Sequence, residues 1–140
     1  MKRPYLFGFI LLLLIMSCST SDDSEMLSEE NMEMEEMSSV EVAYSGNFIS
    51  SAHPTSGKVT IDKDKKIVSF SDFKTDSGPG LEVYLATDTS ASSYVSLGAL
   101  KGTEGNYEYN LPDNIDYNQY NHVIIWCVPF SVNFGYAVLN

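Results

Sequence analysis

Histidine and cysteine are scarce in this chain, two of each in 140 residues, and eight Lys and Arg stand against 19 Asp and Glu for a net charge of −11. So acidic a chain offers no footprint for a phosphate backbone, and no nucleic-acid partner is expected. No G-x-S-x-G, C-x-x-C or H-E-x-x-H occurs, so hydrolytic and dithiol chemistries have no motif to rest on, and a stand-alone enzyme is not expected. Long apolar runs are missing too. The longest, Tyr5 to Met16, falls short of the roughly 20 residues that a membrane-spanning helix needs.

That run follows Lys2 and Arg3 and leads through Ser17 to Cys18, the order of a secretory signal. Ile15-Met16-Ser17-Cys18 resembles a bacterial lipobox, whose cysteine becomes the first residue after cleavage and carries lipid. Residues 1–17 are therefore expected to be a lipoprotein signal peptide, with membrane lipid the partner of Cys18. Acyl chains contribute about 0.8 kcal/mol per buried methylene, so a multiply acylated Cys18 anchors durably. Ser19 stands where an Asp favours retention at the inner membrane, which points to the outer membrane. Ser21-Asp22-Asp23-Ser24-Glu25 is similar to acidic signals that bring some lipoproteins to the cell surface.

The charge is uneven: +2 over residues 1–17, −9 over 18–41 and −4 over 42–140. Residues 18–41 have no basic or aromatic side chain and cannot bury enough apolar surface to offset the entropy of ordering. They read as an acidic tether, with a transient helix conceivable at Ser28 to Met37. Met26, Met32, Met34 and Met37 are soft thioether ligands of a kind that suits Cu(I), but the glutamates around them are hard, and a solvated spacer is the simpler reading.

Residues 42–140 suffice for one two-layer core. Val59 and Ile61 alternate with polar neighbours, as do Leu81, Val83 and Leu85, and turn signals such as Asp76-Ser77-Gly78-Pro79-Gly80 recur about every ten residues. The fold class is all-β, an antiparallel sandwich or barrel-like domain of about seven to nine strands. Its organising strand is Val123 to Val128, apolar throughout and expected to be buried on both faces. Pro129 interrupts it, Phe134 to Leu139 resumes the pattern, and the two form a hairpin around Ser131 to Asn133. Trp126 should face away from Cys127 and pack the other layer. Asn114 to Tyr120 is expected to form one helical turn capped by Asp113. The carboxylates and amides of that segment lack the spacing of an EF-hand, and turn chemistry accounts for them.

Several segments together resemble the DM-thirteen domain family, a probable electron-transfer domain often found beside DOMON domains. They are Gly46-Asn47-Phe48, His53, Ser56-Gly57-Lys58-Val59, Phe73, Gly78 to Leu85, Leu97-Gly98, Leu100-Lys101-Gly102, Tyr109 and Leu111-Pro112. The closing block comprises Tyr120 to Cys127, Phe130 to Val132 and Phe134 to Ala137. The resemblance covers residues 44 to 139. It implies a sandwich-like domain whose characteristic cysteine corresponds to Cys127, with a redox or cofactor-holding role, and a separate redox partner protein, since no DOMON-type domain accompanies it.

Cys127 then has two readings. It is a small apolar filler, as most buried free cysteines are, or a thiolate that enters redox exchange or ligates a metal. His53 is the family-matched second ligand, and an imidazole with a thiolate suits copper, haem iron or zinc. Alternatively His53 is a turn residue bonded to backbone. Tyr84, Tyr109 and Tyr136 could relay electrons or simply serve as amphipathic sheet residues. His122 caps the polar start of its strand. Two functions follow: envelope electron transfer through Cys127 with a cofactor or partner, or a non-catalytic adhesion or scaffold module in which Cys127 is structural.

Overall fold

The computed structural model describes residues 41–140, so the signal, the lipobox and residues 18–40 lie outside the described residues. Alternating apolar side chains and glycine-rich turns give eight strands: β1 (Val42–Ser50), β2 (Thr55–Asp62), β3 (Ile67–Thr75), β4 (Leu81–Ala86), β5 (Tyr94–Ala99), β6 (Glu104–Asn110), β7 (His122–Cys127) and β8 (Val132–Val138). All neighbours pair antiparallel, in the order β5-β4-β7-β8-β1-β2-β3-β6. No helix occurs among the described residues. The sheet curls into a nearly closed barrel whose unpaired edges are β5 and β6, and the all-β expectation holds.

Closure depends on β1, which belongs to both halves. Its first part, Val42 to Asn47, pairs with β2, and its last part, Phe48 to Ser50, pairs with β8. Gly46 permits the close passage, because a Cβ there would lie 2.3 Å from the carbonyl oxygen of Val138. Bulges at Gly57 and Asp72, both at positive φ, bend β2 and β3, as bulges do at barrel corners. Inside, Phe48 meets Phe70 and Phe73 edge-on at 4.9 and 5.1 Å between ring centres. Val59, Ile61, Val68, Val83, Leu85, Val123 and Ile125 surround them, completely buried. Each such side chain contributes about 1.5–3 kcal/mol by leaving water.

Three local expectations are corrected. The β7–β8 turn is Val128 to Ser131, not Ser131 to Asn133, and Val128 is 43 % exposed, so the doubly buried run ends at Cys127. The physical cause is Pro129, which turns the chain where a ladder bond would be needed. Trp126 faces away from Cys127 as expected, but the outer side of a barrel has no second layer. It packs instead with Tyr84, Ile124, Tyr136 and Ala91 of the β4–β5 connection. The segment Asn114 to Tyr120 is not helical. Asp116 nucleates a tight turn there by accepting the N–H of Asn118 at 3.0 Å, while Asp113 is engaged by the ammonium of Lys66.

Candidate functional site

One end of the barrel gathers the residues singled out from the sequence. The β1–β2 connection is fastened to β8: Ser51 and His53 donate their N–H groups to the carbonyl of Phe134, and Ala52 donates to Asn133. This fixes the backbone of His53. Below it Thr55 is buried, its Oγ1 within 3.0 Å of Thr75 Oγ1, 3.2 Å of the His53 carbonyl and 3.3 Å of the Phe134 carbonyl. Gly135 lies against that hydroxyl with no room for a side chain, since a Cβ would sit 2.3 Å from the Cβ of Thr55. The floor of the site is thus a satisfied polar plug in an apolar barrel, which demands full hydrogen bonding to be tolerated.

Above the plug a cleft of about 320 Å³ is lined by His53, Ser77, Gly78, Pro79, Cys127, Phe130, Val132 and Phe134. His53 and Cys127, far apart in the chain, therefore face one space. Cys127, the free thiol among the described residues, is 1 % exposed and donates its S–H to the carbonyl of Pro79 at 3.2 Å. The Asp76–Gly80 loop is held over it by the bond from Val128 N–H to the Gly80 carbonyl at 3.1 Å. His53 stacks on Phe134 with ring centres 3.8 Å apart, and its Nδ1 lies 3.0 Å from Asp76 Oδ2. With Nδ1–H donating to that carboxylate, Nε2 keeps its lone pair. His53 is thus oriented by a side chain and a ring, in addition to its backbone bonds.

The donors at the cleft are one imidazole and one thiol. A blue-copper centre uses two histidines and a cysteine, and structural zinc takes four ligands, whereas no group of three His, Cys, Asp or Glu side chains placed to hold a metal occurs among the described residues. At about 320 Å³ the cleft sits at the small end of ligand pockets and does not enclose a porphyrin. The residues present do not fit a resident metal centre or an enclosed haem, and the chemistry that does fit is that of the thiol itself.

The other named residues lie elsewhere. Tyr109 turns inward from β6, its hydroxyl accepting the N–H of Lys101 at 2.9 Å, and burial pushes its pKa up. His122 begins β7 at the opposite end, its Nδ1 2.6 Å from Asn121 Oδ1. Tyr136 is beside it on the outer face, at 6.1 Å between ring centres. Sequence reasoning passed over Asp76, Pro79 and Phe134 as site residues. The turn signal Asp76 to Gly80 was visible, but its meeting with Cys127 depends on the β4–β7 pairing of Leu81 with Cys127.

Fold and cleft define an all-β domain with one buried thiol and one oriented histidine at the mouth of a barrel that is open along a single seam. The chain belongs to the family described as electron transfer DM13, which matches residues 47–139 of the 140. No curated protein matches the chain, and no solved structure does either.

Proposed function

We propose that this chain is a lipid-anchored protein of the bacterial envelope, placed at the outer membrane through Cys18, whose domain passes electrons through the thiol of Cys127 to a separate redox partner protein. Family membership supports an electron-transfer role. The observation that carries the finer reading is the shared cleft, in which the free thiol and an oriented imidazole line the same space. In this reading the sulfur gives one electron to an oxidised metal centre of the partner, the S–H bond breaks, and the proton passes to Nε2 of His53. A one-electron donor of the ascorbate class then reduces the thiyl to thiolate, and the proton returns from Nε2 to the sulfur, which closes the cycle. Asp76 steadies the imidazolium formed, as a carboxylate beside His Nδ1 does. Phe130, 68 % exposed at the rim, gives the partner an apolar foothold of the kind found at the centre of interfaces.

A redox titration of the full chain tests this, run beside Cys127→Ser and after supplying copper and haem. A couple present in the wild type and absent from Cys127→Ser is expected. Equal traces, with equal or no bound species, would end the reading. A second reading has its own observation: Cys127 sits in the core cluster with its S–H already bonded, as in a scaffold or adhesion module that uses the cysteine for packing. It predicts that Cys127→Ala lowers stability by roughly 1–2 kcal/mol while envelope function persists.

A further inference from the structure

The outer face of β5, β4 and β7 carries three aromatic rings in a diagonal row. Glu82 pairs with Trp126 and Ala86 with Tyr94, so Tyr84, midway between Glu82 and Ala86 on β4, has Trp126 on one diagonal and Tyr94 on the other. Diagonal neighbours across strands are within reach of aromatic side chains. The rings are nearly parallel: Tyr94 and Tyr84 have centres 4.1 Å apart at 9°, and Tyr84 and Trp126 are 6.0 Å apart at 22°. The row has a buried middle and an exposed end, since Tyr84 is buried whereas Tyr94 is 49 % exposed. Its other end is the chain's single tryptophan, half-buried on the same outer face, which immediately precedes Cys127 on β7.

Glu82 lies two residues before Tyr84 on the same face and accepts the hydroxyl of Ser96 at 3.0 Å. Burial, followed by the nearness of Tyr94 and Glu82, pushes the pKa of Tyr84 up to about 12. A phenol that loses an electron becomes a very strong acid and sheds its proton, and the carboxylate of Glu82, on the same face of β4, is the base at hand.

We propose that Tyr94, Tyr84 and Trp126 form a ring-to-ring path that carries one electron along the outer face, from exposed Tyr94 through buried Tyr84 to Trp126 on the strand bearing Cys127. A one-electron metal oxidant takes an electron from the indole of Trp126. Tyr84 refills it, its O–H bond breaking with the proton going to Glu82, which leaves a neutral phenoxyl at Tyr84. Tyr94 then gives its hydrogen atom, electron and proton together, to the Tyr84 oxygen, which moves the phenoxyl to the surface. A reductant of the ascorbate class restores Tyr94 by hydrogen-atom donation, and Glu82 returns its proton to water. The net change is one electron from reductant to oxidant and one proton released. The inference rests on the electron-transfer reading for the identity of its natural oxidant, but the row is testable without it.

The full chain is exposed to a photogenerated tris(bipyridine)ruthenium oxidant, and the radicals are followed by transient absorption and freeze-quench electron paramagnetic resonance. In the wild type the indole radical gives way to a phenoxyl. Tyr84→Phe keeps the ring stack and is expected to lengthen the indole radical's life severalfold. Tyr94→Phe, at an exposed position, leaves the phenoxyl on Tyr84, where ascorbate quenches it severalfold more slowly. Tyr136→Phe changes neither signal. Equal indole lifetimes in the wild type and Tyr84→Phe, or a phenoxyl that Tyr94→Phe and Tyr84→Phe leave untouched, would overturn the proposal. Cys127→Ser is run alongside: a redox-silent Cys127 with an intact indole-to-phenoxyl conversion removes the thiol reading alone, and the converse removes the ring path alone.

Discussion

The thiol's surroundings are set by a residue with no side chain. Gly135 lets β8 lie on Thr55, and Thr55 bonds the carbonyls of His53 and Phe134 that position the cleft wall. A methyl group at Gly135 meets Thr55 Cβ at 2.3 Å and Oγ1 at 2.4 Å, and the backbone on both sides is held in a ladder. Overpacking of this kind costs about 1–3 kcal/mol, to which a broken bond of the plug adds about 1 kcal/mol. Gly135→Ala is therefore expected to lower the unfolding free energy by roughly 2–4 kcal/mol, measured by urea denaturation. Because the plug underlies His53, the stacking of that ring on Phe134 should loosen too, visible as a shift of the His53 ring resonances. A variant as stable as wild type would show that the floor is not tightly packed.

At the scale of elements, the β2–β3 hairpin shows how a charge shapes a turn. Asp62 Oδ1 accepts the N–H of Ile67 at 2.7 Å and of Lys66 at 2.8 Å. These bonds, Ile67 foremost, outweigh burial and hold its pKa below the ordinary 3.8. A carboxylate with a folded pKa below its unfolded one adds stability above the unfolded value, and that stability is lost as pH falls through the folded value. Asp62→Asn keeps an acceptor for both N–H groups and removes the titration. Its melting temperature should fall less than that of the wild type as pH drops below 3.8, and coincident acid limbs in the two proteins would contradict this. The strands themselves were legible in the sequence, because period-two alternation and Gly or Pro turns depend on local chemistry. The shared use of β1 was not, since its split between β2 and β8 is decided by partners distant in the chain. Nor was the cover over Tyr84, which read as an amphipathic sheet residue, and over Ile124, which read as part of a strand buried on both faces. They are buried outside the barrel by a connection that Asp88 folds, accepting the N–H of Ser90 and Ser92. Cys127 and His53 were named together through resemblance alone, because a lone cysteine and a turn histidine carry no spacing that joins them. Asp76, Pro79 and Phe134 acquire their roles only when β4, β7 and β8 align.

For the whole molecule, the two ends of the barrel have different neighbours. Val42 pairs with Asp62, and Ser45 exchanges backbone bonds with Asn140, so the described chain begins and finishes at the end that bears the β2–β3 hairpin. The cleft is at the other end, where Ser50 pairs with Gly135 and Leu81 with Cys127. The mouth with Cys127 therefore lies at the end of the barrel away from the start of β1, and the proposed attachment at Cys18 precedes that start in the sequence. Dual acylation is what makes such attachment durable, so everything turns on the thiol of Cys18. In cells fed labelled palmitate, the full chain is expected to take up label and to partition with membranes, and Cys127→Ser is expected to do the same. Cys18→Ser should lose the label entirely and keep residues 1–17, since lipoprotein processing acts at that cysteine. Label retained by Cys18→Ser, or a wild-type chain recovered unlabelled in the soluble fraction, would remove the anchor from the proposal and leave the electron-transfer domain to be explained as a freely diffusing protein.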